Sequence, residues 1–267
     1  MVAAIGMAVA QFAPTIDREQ NLAVIARLVR TAAERGASLV VLPEYSSAFT
    51  DPLGPDIVAA GEALDGPFVQ GLAALAREHR LHLVAGMVEA VDDRRIANTL
   101  VALDPSGSLV ARYRKLHLYD AFGQTESEWV APGEITAPET FDVGGLVVGL
   151  QTCYDLRFPE VSRWLVDAGV DVIAAPAEWV RGPLKEAHWR TLVTARALEN
   201  TVYLLAADQT PPIGVGTSMV VDPMGVEIVT LGEVEDVAVA WVSRDRILRA
   251  RAQNPALALR RFRVQPL

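Results

Sequence analysis

Cysteine is nearly absent: Cys153 is the only one in 267 residues, so no internal disulfide can form. Histidine is almost as scarce. His79, His82, His117 and His188 lack the i, i+4 spacing that sets two ligands on one helix face, so neither a structural zinc site nor any other cofactor is expected. Although 51% of the residues are hydrophobic, no apolar run approaches the roughly 20 residues that cross a bilayer. The N-terminal stretch MVAAIGMAVAQFAP lacks the basic start and small-residue cleavage site of a secretory signal, and it alternates like a strand. A cytoplasmic protein without a membrane partner is expected. Positive charge is also short. A formal charge of −9 opposes binding to phosphate backbones, so no nucleic-acid partner is expected. Arg260, Arg261 and Arg263 form a local basic cluster, expected to be solvated or at a subunit contact. No Walker motif is present, and the glycines of GVGTSMVVDPMG lead into a strand rather than a helix, which argues against a dinucleotide loop.

What is present is a repeated alternation of strands and helices. Residues 4–11 alternate as a strand, and Asp17 to Asn21 offers capping chemistry for the helix NLAVIARLVRTAAERG, which Gly36 ends. ASLVVLPE is a continuous apolar run, as suits a strand covered on both faces. A helix within 66–80 and the strand LHLVAGMVEA follow, then a hairpin turning at Asp104-Pro105-Ser106-Gly107. The second half repeats the order: GLVVGLQTCYD, the helix FPEVSRWLVDAG, VDVIAAPAEW, the helix HWRTLVTARALEN, TVYLLAADQ, and a hairpin at Asp222-Pro223-Met224-Gly225. Two similar halves predict an α/β fold, a four-layer α-β-β-α sandwich of two stacked mixed sheets with outer helices. One domain over residues 1–267 is expected, with 245–267 as a C-terminal tail at a subunit contact.

The thiol lies in VGLQTCYDLRFPE, where an apolar strand meets a charged turn. A lone cysteine is often only a small buried hydrophobe, but α/β folds bind ligands at the C-terminal ends of their strands. Two other strand ends supply Glu44, after Pro43, and Lys115, in ARYRKLHLYD. In chemical terms a thiol needs a base, a carboxylate beside a thiol needs a cation to offset the charge, and the oxyanion formed on attack needs fixed donors. Glu44, Lys115 and Cys153 supply the residue types, with the backbone N–H of Tyr154 as a second oxyanion donor.

These motifs resemble the nitrilase, or carbon–nitrogen hydrolase, superfamily, whose catalytic glutamate, lysine and cysteine occur in this chain order. LVVLPE, YRKLHLYD and VGLQTCYDLRFPE carry the resemblance, supported by FGQTES, APG, PAEW, HWRTLVTARALEN and GTSMVVDPMGVEI, from about residue 4 to about 245. The resemblance implies a second glutamate beyond the lysine that orients substrate. Glu126, directly before Ser127 and upstream of Pro132-Gly133, fits that context better than Glu128. Tyr154 and Asp155 stand where true nitrilases usually have tryptophan and glutamate, so an amidase is favoured. CYDLRFPE with KLHLYD looks like the Nit branch, whose omega-amidases act on 2-oxo acid amides and whose other members act on deaminated glutathione. The implied reaction is hydrolysis of the non-peptide C–N bond of a small carboxylate-bearing amide through a cysteine thioester, releasing ammonia. N-carbamoyl amino acids and nitriles are alternative substrates, and a catalytically silent scaffold subunit is the alternative from another class.

Around this core, Tyr154, Trp179, Arg157 and His117 are expected to contribute to substrate binding. Arg157, Arg181 and Lys185 are possible anchors for a substrate carboxylate. His117 cannot readily be a papain-like activator and is expected to support the site, while His188 packs or caps a helix. Trp164 and Trp189 are expected in core packing, and Asp155 is expected to pair with Arg157 to hold the turn. The resemblance also implies a homodimer or higher homo-oligomer, with FPEVSRWLVDAG at the contact.

Overall fold

The computed structural model describes residues 4–267. Residues 1–3, the start of the apolar N-terminal run, lie outside the described residues. In chain order the first half holds β1 (Ile5–Gln11), α1 (Arg18–Glu34), β2 (Ala37–Val41), α2 (Pro55–Ala59), α3 (Pro67–His79), β3 (His82–Ala90), β4 (Ile96–Leu103) and β5 (Leu109–Arg114). The second half holds β6 (Thr140–Val143), β7 (Leu146–Leu150), α4 (Pro159–Asp167), β8 (Val172–Ala177), α5 (Lys185–Asn200), β9 (Tyr203–Asp208), β10 (Met219–Val221), β11 (Glu227–Thr230), β12 (Asp236–Val242) and α6 (Arg244–Gln253).

Two six-stranded mixed sheets result, ordered β12-β1-β2-β3-β4-β5 and β11-β10-β9-β8-β7-β6. Each has three parallel strands at its centre (β1-β2-β3 and β7-β8-β9) continued by an antiparallel hairpin. The internal echo of the sequence is therefore an echo of topology. Closure of the first sheet comes from far along the chain, because its outer strand β12 pairs antiparallel with β1, Ile5 opposite Val242.

The period of two along each strand divides the apolar residues between layers. Met7 and Val9 of β1, with Leu39 and Val41 of β2, face Val172 and Ala174 of β8 and Leu205 of β9 in the core between the sheets. Ala8, Ala10 and Val40 point the other way, onto Ile25, Val29, Phe68 and Leu72 of α1 and α3. Ile173, Ala175 and Leu204 likewise meet Leu165 of α4 and Trp189 and Val193 of α5. This is the four-layer sandwich. Asp17 caps α1 as its sequence suggests, its Oδ1 accepting from the N–H groups of Glu19 and Gln20 at 2.9 and 3.1 Å.

Arg260 of the basic cluster is exposed, as a solvated cluster requires, and pairs with Asp167 at the end of α4. Two expectations need correction. Residues 245–253, read as part of a tail, belong to α6, which buries Ile247 and Ala250 and pairs Arg246 with Asp222 in the same chain. Trp189 is fully buried, but Trp164 is only half-buried and borders an apolar groove with Phe158 and Val161 rather than filling the core.

Candidate active site

Glu44 and Lys115 each lie just past the end of a strand of the first sheet, and the turn carrying Cys153 follows β7 of the second. Glu44 comes three residues after β2 and sits against β3, where a Cβ on Gly86 would lie 2.6 Å from the Glu44 Cα. Only glycine permits that approach. Lys115 follows β5 and keeps its backbone in register, its N–H donating to the Asn98 carbonyl at 2.9 Å. Gly133 of the Ala-Pro-Gly motif donates to the Lys115 carbonyl at 2.8 Å and lies so close to Arg114 that a Cβ would come within 2.3 Å of its carbonyl oxygen. The motif's glycine thus braces the lysine from behind.

In the second sheet, β7 ends at Leu150 opposite Ala174, so Pro176 lies beyond the last β7–β8 pair and costs no ladder bond there. The chain leaves β7 into a one-turn 3-10 helix, Cys153–Arg157. Thr152 Oγ1 ties this turn to the Pro176 carbonyl at 2.8 Å. Cys153 itself adopts φ 43, in the left-handed region that residues with a Cβ seldom occupy. Strain of this kind persists where surrounding structure enforces it, and it clusters at functional sites.

The polar groups converge in the interior. Lys115 Nζ lies 2.9 Å from Glu44 Oε1 and 2.9 Å from Glu126 Oε2, with all three side chains almost completely buried. Asn98 Nδ2 donates to Glu44 Oε1 at 2.6 Å and to Glu126 Oε1 at 3.1 Å. Glu126 also accepts from Tyr45 Oη at 2.7 Å and from the Tyr119 N–H at 2.6 Å. The backbone of Glu178 joins the acid to the sulfur: its N–H donates to Glu44 Oε2 at 2.7 Å, and its carbonyl accepts from Cys153 Sγ at 3.3 Å. Lys115, Glu126, Cys153 and Glu178 all border one cleft of about 210 Å³, together with Tyr45, Tyr119 and Trp129. Glu128 is exposed at its rim.

Burial sets the electrostatics, since removing a charge from water favours its neutral form. Desolvation raises Glu44 above the usual carboxylate range despite the attraction of Lys115. Glu126 feels the same penalty, but Lys115 and the hydrogen bonds from Tyr119 and Tyr45 outweigh it and hold Glu126 lower. Burial works against the Lys115 ammonium, yet its two carboxylates hold it well above the ordinary lysine value. Burial and then Glu44 push the Cys153 thiol up, so the resting sulfur is protonated. A base must act as the sulfur attacks.

Of the other expected residues, Tyr154, Arg157 and Trp179 border a small recess beside Cys153, with Tyr119, Glu178 and Lys185. Arg157 does not pair with Asp155. Its guanidinium faces the rings of Trp179, Phe122 and Tyr154 at 4.9, 5.5 and 5.9 Å, and its Nε and Nη2 have no hydrogen-bond partner. Asp155 instead takes Tyr113 Oη at 2.6 Å and His117 Nδ1 at 2.8 Å. With three residues per turn, side chains two apart on this helix point in different directions. His117 stacks on Phe158 with ring centroids 3.7 Å apart and does not border the Cys153 cleft or its recess. Lys185 Nζ reaches Tyr119 Oη at 2.6 Å, whereas Arg181 is exposed and pairs with Glu233. His188 lies within the first turn of α5, half-buried.

Asn98 and Tyr45 went unnoticed in the sequence. A signal existed for Asn98, a lone amide in the apolar run IANTLVAL, whereas nothing local distinguishes Tyr45.

A buried glutamate–lysine–cysteine cluster between two stacked mixed sheets defines a class, and the comparisons agree: the Carbon-nitrogen hydrolase family model matches residues 2–252. The chain belongs to this family and is a hydrolase acting on C–N bonds. It is similar to a deaminated glutathione amidase of Escherichia coli, 41% identical over 96% of this chain and 97% of that protein. Mouse omega-amidase NIT2 is 31% identical over 96% of this chain and 94% of that one. Among solved structures, the Caenorhabditis elegans NitFhit protein superposes with a TM-score of 0.89 at 30% identity; the match covers 97% of this chain and 66% of that longer protein.

Proposed function

We propose that the protein is an amidase that hydrolyses small amides bearing a carboxylate, with Cys153 as nucleophile, Glu44 as general base and acid, Lys115 as oxyanion donor and Glu126 as the group that positions Lys115 and substrate. The carrying observation is the recess beside Cys153. Two cations, Arg157 and Lys185, border it, and neither has a carboxylate within ion-pair distance among the described residues. Burial, then the repulsion of Arg157, lowers the Lys185 pKa, and an anion placed between the two would relieve that cost. The names of the similar amidases, which act on deaminated glutathione and on omega-amides, support the reading.

In the proposed reaction the Cys153 proton passes to Glu44 as the sulfur bonds to the amide carbon. The carbonyl π pair moves onto oxygen, stabilised by Lys115 Nζ and the Tyr154 N–H. The C–N bond then breaks, the nitrogen takes the proton from Glu44, and ammonia leaves a thioester. Water attacks that carbon while Glu44 removes its proton; the C–S bond breaks, the acid departs and Glu44 returns the proton to sulfur.

The test is ammonia release from succinamate, propionamide, an N-carbamoyl amino acid and a nitrile, with wild type and Arg157→Leu. Succinamate is the expected substrate, and the variant raises its KM about tenfold or more, as expected for loss of a charge-assisted contact. Equal use of propionamide and succinamate by wild type would refute carboxylate selection; turnover of none would favour a silent scaffold. A second expectation concerns pH. Glu44 must be ionised to act, and burial raises its pKa, so kcat/KM for succinamate should begin to fall at a pH above about 4.3, the ordinary glutamate value. A rate undiminished down to that pH would exclude Glu44 as the base.

A homodimer or higher assembly through α4 and the segment after Asn254 accompanies this reading, supported by exposed Leu259 and Phe262. So does a single catalytic domain working in the cytoplasm, for which the lack of any helix long and apolar enough to cross a membrane among the described residues is permissive.

A further inference from the structure

Glu178 takes no part in the chemistry above through its side chain, yet it borders both the cleft and the recess at Cys153. The residue is 9% exposed, and its Oε1 is buried without a hydrogen-bond partner. Its backbone leaves it little freedom, being committed on both sides to Glu44 and Cys153. An orphaned buried polar atom is costly, and a side chain that carries one beside a binding cleft invites a ligand as its partner.

Glu178 makes no ion pair with either cation of the recess, Arg157 or Lys185, although its charge would favour the Lys185 ammonium. Carboxylates surround it instead. Glu44 after β2, Glu126 on the loop beyond β5, and Asp208 at the end of β9 face it, with Lys115 as a compensating charge, and Cys153, Tyr119, Arg157 and Lys185 complete its titratable surroundings. Burial, then Glu44 and Asp208, push its pKa well above the usual range against the pull of Lys115. A neutral carboxylic acid carries an O–H and is a donor.

We propose that Glu178 is a specificity-determining residue, whose side-chain acid donates a hydrogen bond to an uncharged carbonyl oxygen on the substrate's acyl chain while Arg157 and Lys185 hold the terminal carboxylate. This rests on the amidase reading and deepens it. A matched donor discriminates strongly because the substrate lacking the oxygen leaves the buried acid unpartnered.

The experiment compares kcat/KM for 2-oxosuccinamate and succinamate, which differ in one carbonyl oxygen. The ratio between them is the readout, because titrations of Glu44, Lys115 and Cys153 common to both substrates cancel. Wild type is expected to favour the 2-oxo compound, and Glu178→Leu to reduce that preference by about tenfold to a hundredfold. Glu178→Gln, which keeps shape and an N–H donor, restores most of it. In wild type the preference declines as alkali ionises the acid, whereas in Glu178→Gln it stays level. An unchanged ratio in Glu178→Leu, or the same pH dependence in wild type and Glu178→Gln, overturns this role alone. Should Glu178→Leu fail to fold, the pH comparison of wild type with Glu178→Gln decides. Failure of wild type to release ammonia from either compound overturns the amidase reading, and this role with it.

Discussion

Replacing Cys153 by alanine is expected to lower ammonia release from succinamate by more than about 10⁴-fold, the scale of loss when a covalent nucleophile is removed. The fold should survive. Cys153 is 6% exposed and its sulfur makes one hydrogen bond, to the Glu178 carbonyl, so the variant's stability should change by only about 1–2 kcal/mol. Alanine also inherits the left-handed backbone without a larger Cβ penalty, since both residues carry one. Intact-mass spectrometry after brief exposure to substrate should find an acyl adduct on wild type and none on Cys153→Ala. Substantial turnover by that variant, with circular dichroism unchanged, would remove the thioester from the mechanism.

The second large effect is on stability. Lys115 is the cation that directly contacts both Glu44 and Glu126, each buried. Lys115→Met preserves volume but leaves two carboxylates unpaired, and breaking a buried pair in this way costs about 3–5 kcal/mol. A loss of roughly 10 °C in Tm at neutral pH is expected for a chain of this size. The pH dependence gives the cause away. In wild type Glu126 titrates below its unfolded value, so its ionisation contributes stability that is full above that value and is lost as pH falls through the lowered one. In Lys115→Met the compensating charge is gone, both acids resist ionising, and the deficit relative to wild type should shrink as acid protonates them. Calorimetry between about pH 4 and 8 measures this. A deficit constant over that range would mean the loss comes from packing, and that the buried charges are not coupled as the distances imply. Ammonia release should also fall by more than about 10²-fold, since an oxyanion donor is lost.

Much of the architecture was legible because it is written locally. The alternation of β1, the continuous apolar run of β2, the capping aspartate of α1 and the two Asp-Pro-x-Gly turns each depend on neighbours a few residues away. What escaped was short or distant. α2 and β6 have five and four residues, too few for a pattern, and α6 is so charged that its buried stripe is only Ile247 and Ala250. β12 is recognisable only by its pairing with β1, more than 200 residues earlier in the chain.

The site divides in the same way. Glu44, Lys115 and Cys153 could be singled out because each sits at or just beyond a strand end and their residue types match the needs of thiol chemistry, whereas Glu126 is reached only through the family resemblance of its segment. Their order and chemical kinds belong to the sequence. Which atoms meet belongs to the tertiary structure: that Asn98 holds two acids, that one peptide group at Glu178 touches both base and sulfur, and that Asp155 turns to His117 and Tyr113 while Arg157 turns to the aromatic recess. Local patterning selects strands and helices by short-range periodicity. The contacts that set charge states join strand ends and loops up to 134 residues apart, and only the stacking of two sheets brings them within hydrogen-bond reach.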